Sequence, residues 1–226
     1  DKSALSLNDI LLHQSGLQPW IPFYLKTLAT LVPNTPVSME TISAEYPFKV
    51  SERTFLHKYV GANPICYSLK KSEKFPLRCT ENLFACEGMK DTIFNIINKS
   101  NLQEPGKYKY SDLGFLYLQQ VVENIENTGL DELSANYFYK KIGMNYTLFH
   151  PYKKFDKDRI VPTEYDLTFR KQLIWGDVHD PAAAMMGGVA GHAGIFSNAN
   201  DMAKLMQMFL NGGIYGGERF FSQETV

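Results

Sequence analysis

The feature that most constrains folding is the placement of proline. Seven of the 11 prolines, Pro19, Pro22, Pro33, Pro36, Pro47, Pro64 and Pro76, fall between residues 18 and 87. Each fixes φ and removes a backbone donor, so no long helix can run through this stretch. Loops and short elements are expected there. Before it, Leu5 to Leu17 reads as a short helix capped by Ser6 or Asn8 and ended by Gly16.

Beyond residue 87 the periodicity becomes helical. Ile93, Phe94, Ile96 and Ile97 recur at helical spacing between Met89 and Lys99, and Pro105-Gly106 supplies a turn. Ser111 to Asn127 places Phe115, Leu118, Val122 and Ile125 on one face, with a stop at Thr128-Gly129. A third helix over Asp131 to Ile142 is expected to carry Leu133, Tyr137, Phe138 and Ile142 inward and to end at Gly143. After the Gly-rich passage Gly187 to Gly194, Ile195 and Phe196 end a short strand. Ser197 or Asn198 then caps a helix through Met202, Leu205, Met206, Phe209 and Leu210, and Met202, Met206 and Met208 read as core or helix-face residues.

Composition narrows the partners. The 226 residues carry 23 basic and 24 acidic side chains, a net charge of -1, so no summed field draws in phosphate backbones or anionic membranes. Nucleic acid is not expected. With 44% hydrophobic residues the chain can build a core, yet no apolar run reaches the length of a membrane span. Asp1-Lys2-Ser3 opens no signal peptide, so a targeting signal is expected upstream. Cys66, Cys79 and Cys86 lack zinc or redox spacing; Cys79 and Cys86 pair in an oxidising compartment, or all three stay as free thiols. His179-Asp180 with His192 matches no known ligand pattern, and neither metal nor cofactor is expected.

Three features carry possible chemistry. A serine hydrolase of the lysine and tyrosine type needs a nucleophile beside a base, and Tyr110-Ser111-Asp112 offers the tyrosine part at a helix N-terminus, where the dipole favours an anion. Composition alone supplies about one such Tyr-x-Asn/Asp, so its context gives it weight. Ser68 and Lys71 form a Ser-x-x-Lys, again about as frequent as chance, and Pro76 cuts short the helix it would need. His192, among the glycines of Gly191-His192-Ala193-Gly194, either lines a cleft or is a hydrogen-bonded structural residue.

Leu11-Leu12-His13-Gln14-Ser15-Gly16-Leu17 resembles the Leu-Leu-x-His-x-Ser-Gly-Leu signature of the class C β-lactamase-like serine hydrolases, compressed by one residue. That family also holds penicillin-binding DD-peptidases and carboxylesterases. Tyr110-Ser111-Asp112-Leu113-Gly114-Phe115 resembles its Tyr-Ser-Asn segment, Phe138 to Met144 its Pro-Leu-Gly-Met helix end, and Gly191 to Lys204 its Gly-Leu-x-Ser-Thr-x-x-Asp-Leu-Ala segment. Arg159 to Glu164, Val178-His179-Asp180 and Gly187 to Phe196 resemble a bacterial subgroup whose members are often fused behind a family 3 glycoside hydrolase, a β-N-acetylglucosaminidase.

The resemblance implies an α+β serine β-lactamase/DD-peptidase-like fold, with residues 1–226 a partial domain dominated by the helical subdomain and an incomplete antiparallel sheet. In the family the Ser-x-x-Lys helix precedes the Leu-Leu-x-His segment and a Lys-Thr-Gly or His-x-Gly strand follows the matched region, so both are expected outside this chain. It further implies acyl-serine chemistry on an ester, amide or peptidoglycan-like peptide in the periplasm, outer envelope or medium. Tyr110 and Asp112 are the expected catalytic residues, with Tyr110 assisting deprotonation and Asp112 orienting the lysine; Ser111 and His192 are the expected substrate contacts. Asp112 replaces the common Asn, which keeps an acceptor but loses a donor and adds a charge. The chain alone is expected to be inert. The competing reading is a noncatalytic binding or spacer module of a glycosidase.

Overall fold

The computed structural model describes residues 2–226. The proline-punctuated third is a series of very short strands: β1 (Leu28–Thr30), β2 (Ser38–Met39), β3 (Phe48–Ser51), β4 (Thr54–Leu56), β5 (Val60–Ala62), β6 (Tyr67–Ser68), β7 (Leu77–Thr80) and β8 (Leu83–Ala85). They pair antiparallel as β1-β5, β2-β4-β3 and β6-β8-β7. Pro47 and Pro76 stand immediately before β3 and β7, where a missing N–H costs no ladder bond. Two further hairpins, β9 (Glu164–Asp166) with β10 (Gln172–Ile174) and β11 (Ile214–Tyr215) with β12 (Glu218–Arg219), complete the strands of the described residues. The result is α+β with small antiparallel sheets.

The main core forms where these sheets meet the helices. Helix α1 (Leu7–Leu11) is capped by Ser6, whose side chain accepts from the Asp9 amide, and ends well before Gly16. Helix α2 (Met89–Lys99) buries Met89, Ile93 and Ile97, one residue per turn, against Leu17, Leu56, Tyr67, Cys79, Leu113 and Leu116. Helix α3 (Leu113–Glu126) stops at Asn127, which takes a left-handed φ of 48°. Its buried face is not the expected stripe. Leu113, Leu116 and Gln119 point inward, whereas Val122 and Ile125 are exposed. The buried face is chosen by a polar anchor, Gln119, described below.

The next helix departs from regularity as well. After α4 (Leu130–Ser134), the segment Ala135–Tyr139 forms a π-helical turn before α5 (Lys140–Ile142) and a left-handed Gly143. A π turn holds one extra residue, so Leu133 and Phe138, five apart, share the inward face, and Ile142 follows four later. Tyr137, expected inside, is 52% exposed and donates its hydroxyl to Glu126 at 3.1 Å. Ile142 and Met144 join Met208 in a second small core.

After the short helix α6 (Pro181–Met185), the last helix, α7 (Ala199–Leu210), is capped by Asn198, which accepts from the Asp201 amide at 2.9 Å. Of its methionines only Met208 is buried; Met202 and Met206 face solvent, as do Phe209 and Leu210. The inward position beside the cap belongs instead to Asp201, fully buried, which accepts from the Tyr146 amide at 2.7 Å and the Thr147 hydroxyl at 3.1 Å. A buried carboxylate is tolerable because these donors replace water. Phe196 makes a single antiparallel bridge with Leu148.

Candidate functional site

The chain leaves α1 through His13, whose φ of 55° turns it back on itself. Residues 13–16 then run against the loop ahead of α3. Lys109 donates its amide to the His13 carbonyl at 2.8 Å, Gly106 to Gln14 at 2.8 Å, and Gln103 to Gly16 at 2.7 Å. Gly16 itself has a φ of +72° and a Pro105 side chain packed over it, a position that suits only glycine. The first sequence landmark is thus the cradle of the second.

Within that cradle Ser111 is 3% exposed. Its hydroxyl donates to the Gln18 carbonyl at 2.7 Å and accepts from the Leu113 amide at 3.2 Å, and its own amide donates to His13 Nδ1 at 3.2 Å. Ser111, expected as a substrate contact, is thus buried here, with its hydroxyl engaged in two of these bonds and its amide in the third, and it holds the loop in place. Tyr110 is the outward member, 55% exposed, with its ring 4.6 Å from that of His13. Its hydroxyl donates to Asp112 Oδ1 at 2.8 Å.

That bond favours the neutral phenol. Donation to Asp112, with partial burial and the same carboxylate's charge, raises the Tyr110 pKa above its ordinary value. The expected helix-terminus preference for a tyrosinate is overridden, because a full charge at hydrogen-bond distance outweighs partial dipole charges. Asp112 in place of Asn is the cause.

The Gly-rich segment lies on the same helix. Gln119 accepts from the Gly191 amide at 3.0 Å, and its amide group donates to Val189 O at 3.3 Å and to Glu123 at 3.0 Å. A Cβ on Gly191 would stand 2.1 Å from the Phe115 carbonyl oxygen, so glycine is required by the closeness of backbone to backbone. The Phe115 ring is also 5.5 Å from His13. Both landmark loops therefore converge on the first turns of α3.

His192 does not face this surface. Its side chain is 5% exposed and its Nε2 lies 2.9 Å from Asp180 Oδ1, while Nδ1 is buried with no hydrogen-bond partner among the described residues. Asp180 caps α6, accepting from the Ala183 amide at 2.7 Å, with Pro181 at the first helical position. Burial alone would raise its carboxyl pKa, but the His192 hydrogen bond and charge and the Ala183 and Ala182 amides outweigh that and hold it below the ordinary value. Asp180, rather than His192, reaches a cavity of about 420 Å³. That cavity shares Val161, Phe196 and Ser197 with a neighbour of about 590 Å³, which also holds Tyr146, Phe155 and Arg159. The two form one groove beside residues 193–198.

Arg170 fixes the strand edge of this groove. Its guanidinium is fully buried, bonding to Asp166 at 2.9 Å, Glu164 at 2.6 Å and the carbonyls of Val178 and His179 at 2.6 and 2.7 Å. Asp180 follows directly. Its cap is the kind an Asp before Pro at a helix start signals; Gln119 and Arg170 carry no such signal, since what makes them matter is their bonds to the Gly191 loop and to the carbonyls of Val178 and His179.

The alternative nucleophile fails on geometry. Ser68 ends β6 and accepts from the Lys70 amide at 3.1 Å, and no helix spans residues 68–71, so the one-turn spacing to Lys71 does not exist. All three cysteines are free thiols, and burial pushes that of Cys79 up to about 12. Among the described residues no three His, Cys, Asp or Glu side chains converge to hold a metal, and no helix is long and apolar enough to cross a membrane.

The chain is similar to several known proteins. The family model described as Beta-lactamase matches residues 75–225. A "Putative D-alanyl-D-alanine carboxypeptidase" of Salmonella schwarzengrund (strain CVM19633) is 40% identical over 151 residues, 61% of this chain and 35% of the relative. The chain thus spans about a third of the length of the curated relatives it matches. Among solved structures it is similar to the octameric penicillin-binding protein homologue from Pyrococcus abyssi (15% identity, TM-score 0.49, 97% of this chain and 37% of that one). A second is the D-amino acid amidase from Ochrobactrum anthropi SV3 complexed with L-phenylalanine (13% identity, TM-score 0.44, 60% and 36%).

Proposed function

Because this chain belongs to the beta-lactamase family, we propose that residues 1–226 are part of a serine hydrolase domain that cleaves an ester, amide or cell-wall peptide through an acyl-serine intermediate. Similarity to proteins named D-alanyl-D-alanine carboxypeptidases supports a peptide ending in D-alanine and action in the cell envelope. The observation that carries the reading is the Tyr110–Asp112 pair: an exposed phenol and a carboxylate 2.8 Å apart, on a loop pinned by Ser111 and His13.

The nucleophile comes from a Ser-x-x-Lys helix N-terminal to this chain. In the acylation step the serine oxygen adds to the substrate carbonyl as its proton passes to the lysine and tyrosine pair. The leaving group departs with a proton, and water then cleaves the acyl-serine. The lysine takes the serine proton as its neutral amine, and Asp112 supplies the carboxylate that orients the resulting ammonium. When it does so, it is drawn from the Tyr110 hydroxyl, whose pKa then falls and frees the phenol to relay the proton. The chain alone, without that serine, is inert. The longer parent also carries a family 3 glycoside hydrolase domain, a proposal that rests on the subgroup resemblance of Arg159 to Glu164 and Gly187 to Phe196.

The test is the longer reading frame, expressed with its upstream segment and assayed on an activated ester and on a D-alanyl-D-alanine peptide. Tyr110→Phe should lower kcat by about 100-fold or more, the usual span of a proton-transfer group. Unchanged turnover would remove Tyr110 from the mechanism. A longer protein that neither turns over substrate nor labels with a fluorophosphonate would instead be a noncatalytic module.

A further inference from the structure

Cysteine spacing drew attention to Cys79 and Cys86, but the fold brings a different pair together. Strands β6 and β8 are antiparallel with Tyr67 opposite Ala85 and Ser68 opposite Phe84. One step outward along the same register, Cys66 stands opposite Cys86, and the Cys86 amide donates to the Cys66 carbonyl at 2.9 Å. Directly opposed residues of an antiparallel pair project their Cβ atoms to the same face, with Cα atoms about 4.5–5.5 Å apart. That separation lies within the span a disulfide bridges. Both side chains are half-buried and pack on the main core. The Cys66 thiol is held above its ordinary value first by burial and then by the nearby Cys86.

Cys79 is placed differently. It lies in the irregular stretch of β7 between Arg78 and Thr80, is fully buried, and directs its thiol toward the Leu77 carbonyl at 3.9 Å. It has no opposed cysteine.

We infer that Cys66 and Cys86 form a cross-strand dithiol that closes to a disulfide, with Cys79 remaining a buried thiol. The oxidant is a disulfide-bearing compound or protein. The thiolate of one cysteine attacks a sulfur of that disulfide, giving a mixed disulfide and releasing one thiol. The other cysteine's thiolate then attacks the mixed disulfide, forming the Cys66–Cys86 bond and releasing the second thiol. Two electrons pass from the cysteines to the oxidant, whose sulfurs take up the two protons. The bond fastens the turn after β5 to the start of α2, where Met89 donates its amide to the Cys86 carbonyl at 3.1 Å. It also encloses Arg78, which holds Asp177 through two bonds of 2.8 and 3.0 Å close to the Asp180 cap.

The experiment exposes the folded chain to oxidised glutathione at about pH 8, near the ordinary thiol pKa. Free thiols are then alkylated, and the peptides are mapped by mass spectrometry under non-reducing conditions. The expected result is a peptide linked through Cys66 and Cys86, a molecular mass lower by two hydrogens, and alkylation of Cys79 only after unfolding. Closing the loop should raise Tm by about 5–10 °C, reversed by a reductant. Cys66→Ser and Cys86→Ser should each abolish the link and the Tm shift, while Cys79→Ser keeps both; if Cys79→Ser does not fold, mapping of the unsubstituted chain decides. A link through Cys79, persistent glutathione adducts without closure, or three thiols that all stay alkylatable would overturn the inference.

Discussion

His13 Nδ1 accepts the backbone N–H of Ser111 at 3.2 Å, joining residues 98 apart in sequence and fixing the loop on which Tyr110 is displayed. His13→Ala leaves that amide without its acceptor, and a loss of about 1–2 kcal/mol in stability is expected. His13→Asn should lose less, because asparagine supplies an acceptor and tolerates the φ of 55° found there. Urea denaturation of the two variants compares them; equal losses would show that the imidazole acts by packing alone.

Asp112→Asn removes the carboxylate that raises the Tyr110 pKa. The Tyr110 pKa should move down toward the ordinary tyrosine value of about 10. Titration of ring-labelled tyrosines by NMR, with Tyr110→Phe assigning the resonance, reads the shift. An unmoved resonance would mean that Asp112 does not govern the phenol.

Asp180 links a helix cap to a buried imidazole. Asp180→Ala loses the cap and leaves His192 Nε2 unpartnered, and a loss of about 2–3 kcal/mol is expected. Because the folded carboxyl lies below its unfolded value of about 3.9, its contribution is complete above that pH and is lost as pH falls through the folded value. Asp180→Asn, which keeps a capping oxygen, should flatten the stability curve only in that acid limb. A pH series of thermal melts separates the two substitutions.

His150 is affected in the opposite chemical sense. Burial, and then Lys153, lower its pKa, so the unfolded chain takes up a proton more readily than the folded one. Stability is therefore complete above the unfolded value of about 6.5 and declines as pH falls toward the folded value. His150→Asn, at a φ of 52° that asparagine accepts, should lessen the fall in Tm between about pH 7 and pH 5. A slope identical to that of the unsubstituted chain would assign the decline to other groups.

Gly191→Ala places a methyl 2.1 Å from the Phe115 carbonyl oxygen, a backbone atom of α3 that cannot rotate aside. A loss on the order of 3 kcal/mol is expected, with the Gly191 loop displaced from Gln119. Amide exchange at Gly191 would report the displacement; retained protection would mean that α3 yields instead.

Proline spacing in residues 18–87 was enough to exclude long helices, and of the four residues at helical spacing in α2 the structure fully buries Ile93 and Ile97 and partly buries Phe94 and Ile96. Periodicity misled where a buried polar group commanded the face. Leu118, Val122 and Ile125 recur at helical spacing, yet Gln119 must meet the Gly191 loop, and the apolar stripe turns outward with Ile125 74% exposed. Asp201 displaces Met202 in the same way, since the amide and hydroxyl donors of residues 146 and 147 are visible only in three dimensions. At the site, Tyr110 and Asp112 were legible as a motif. The burial of Ser111 and the pairing of His192 with Asp180 were not, because both depend on contacts between distant segments.

The widened turn at Ala135–Tyr139 works as a phase corrector. Each residue of an α-helix advances the side-chain direction by about 100°, so one surplus residue re-aims everything that follows it. Downstream, Gly143 is grasped by Lys204, and Ile142 and Met144 meet Met208. A chain shortened by one residue within that turn would gain a more regular helix and lose this alignment, sending Ile142 out of the small core. Local irregularity here is the condition for the two ends of the helix to dock on different neighbours at once.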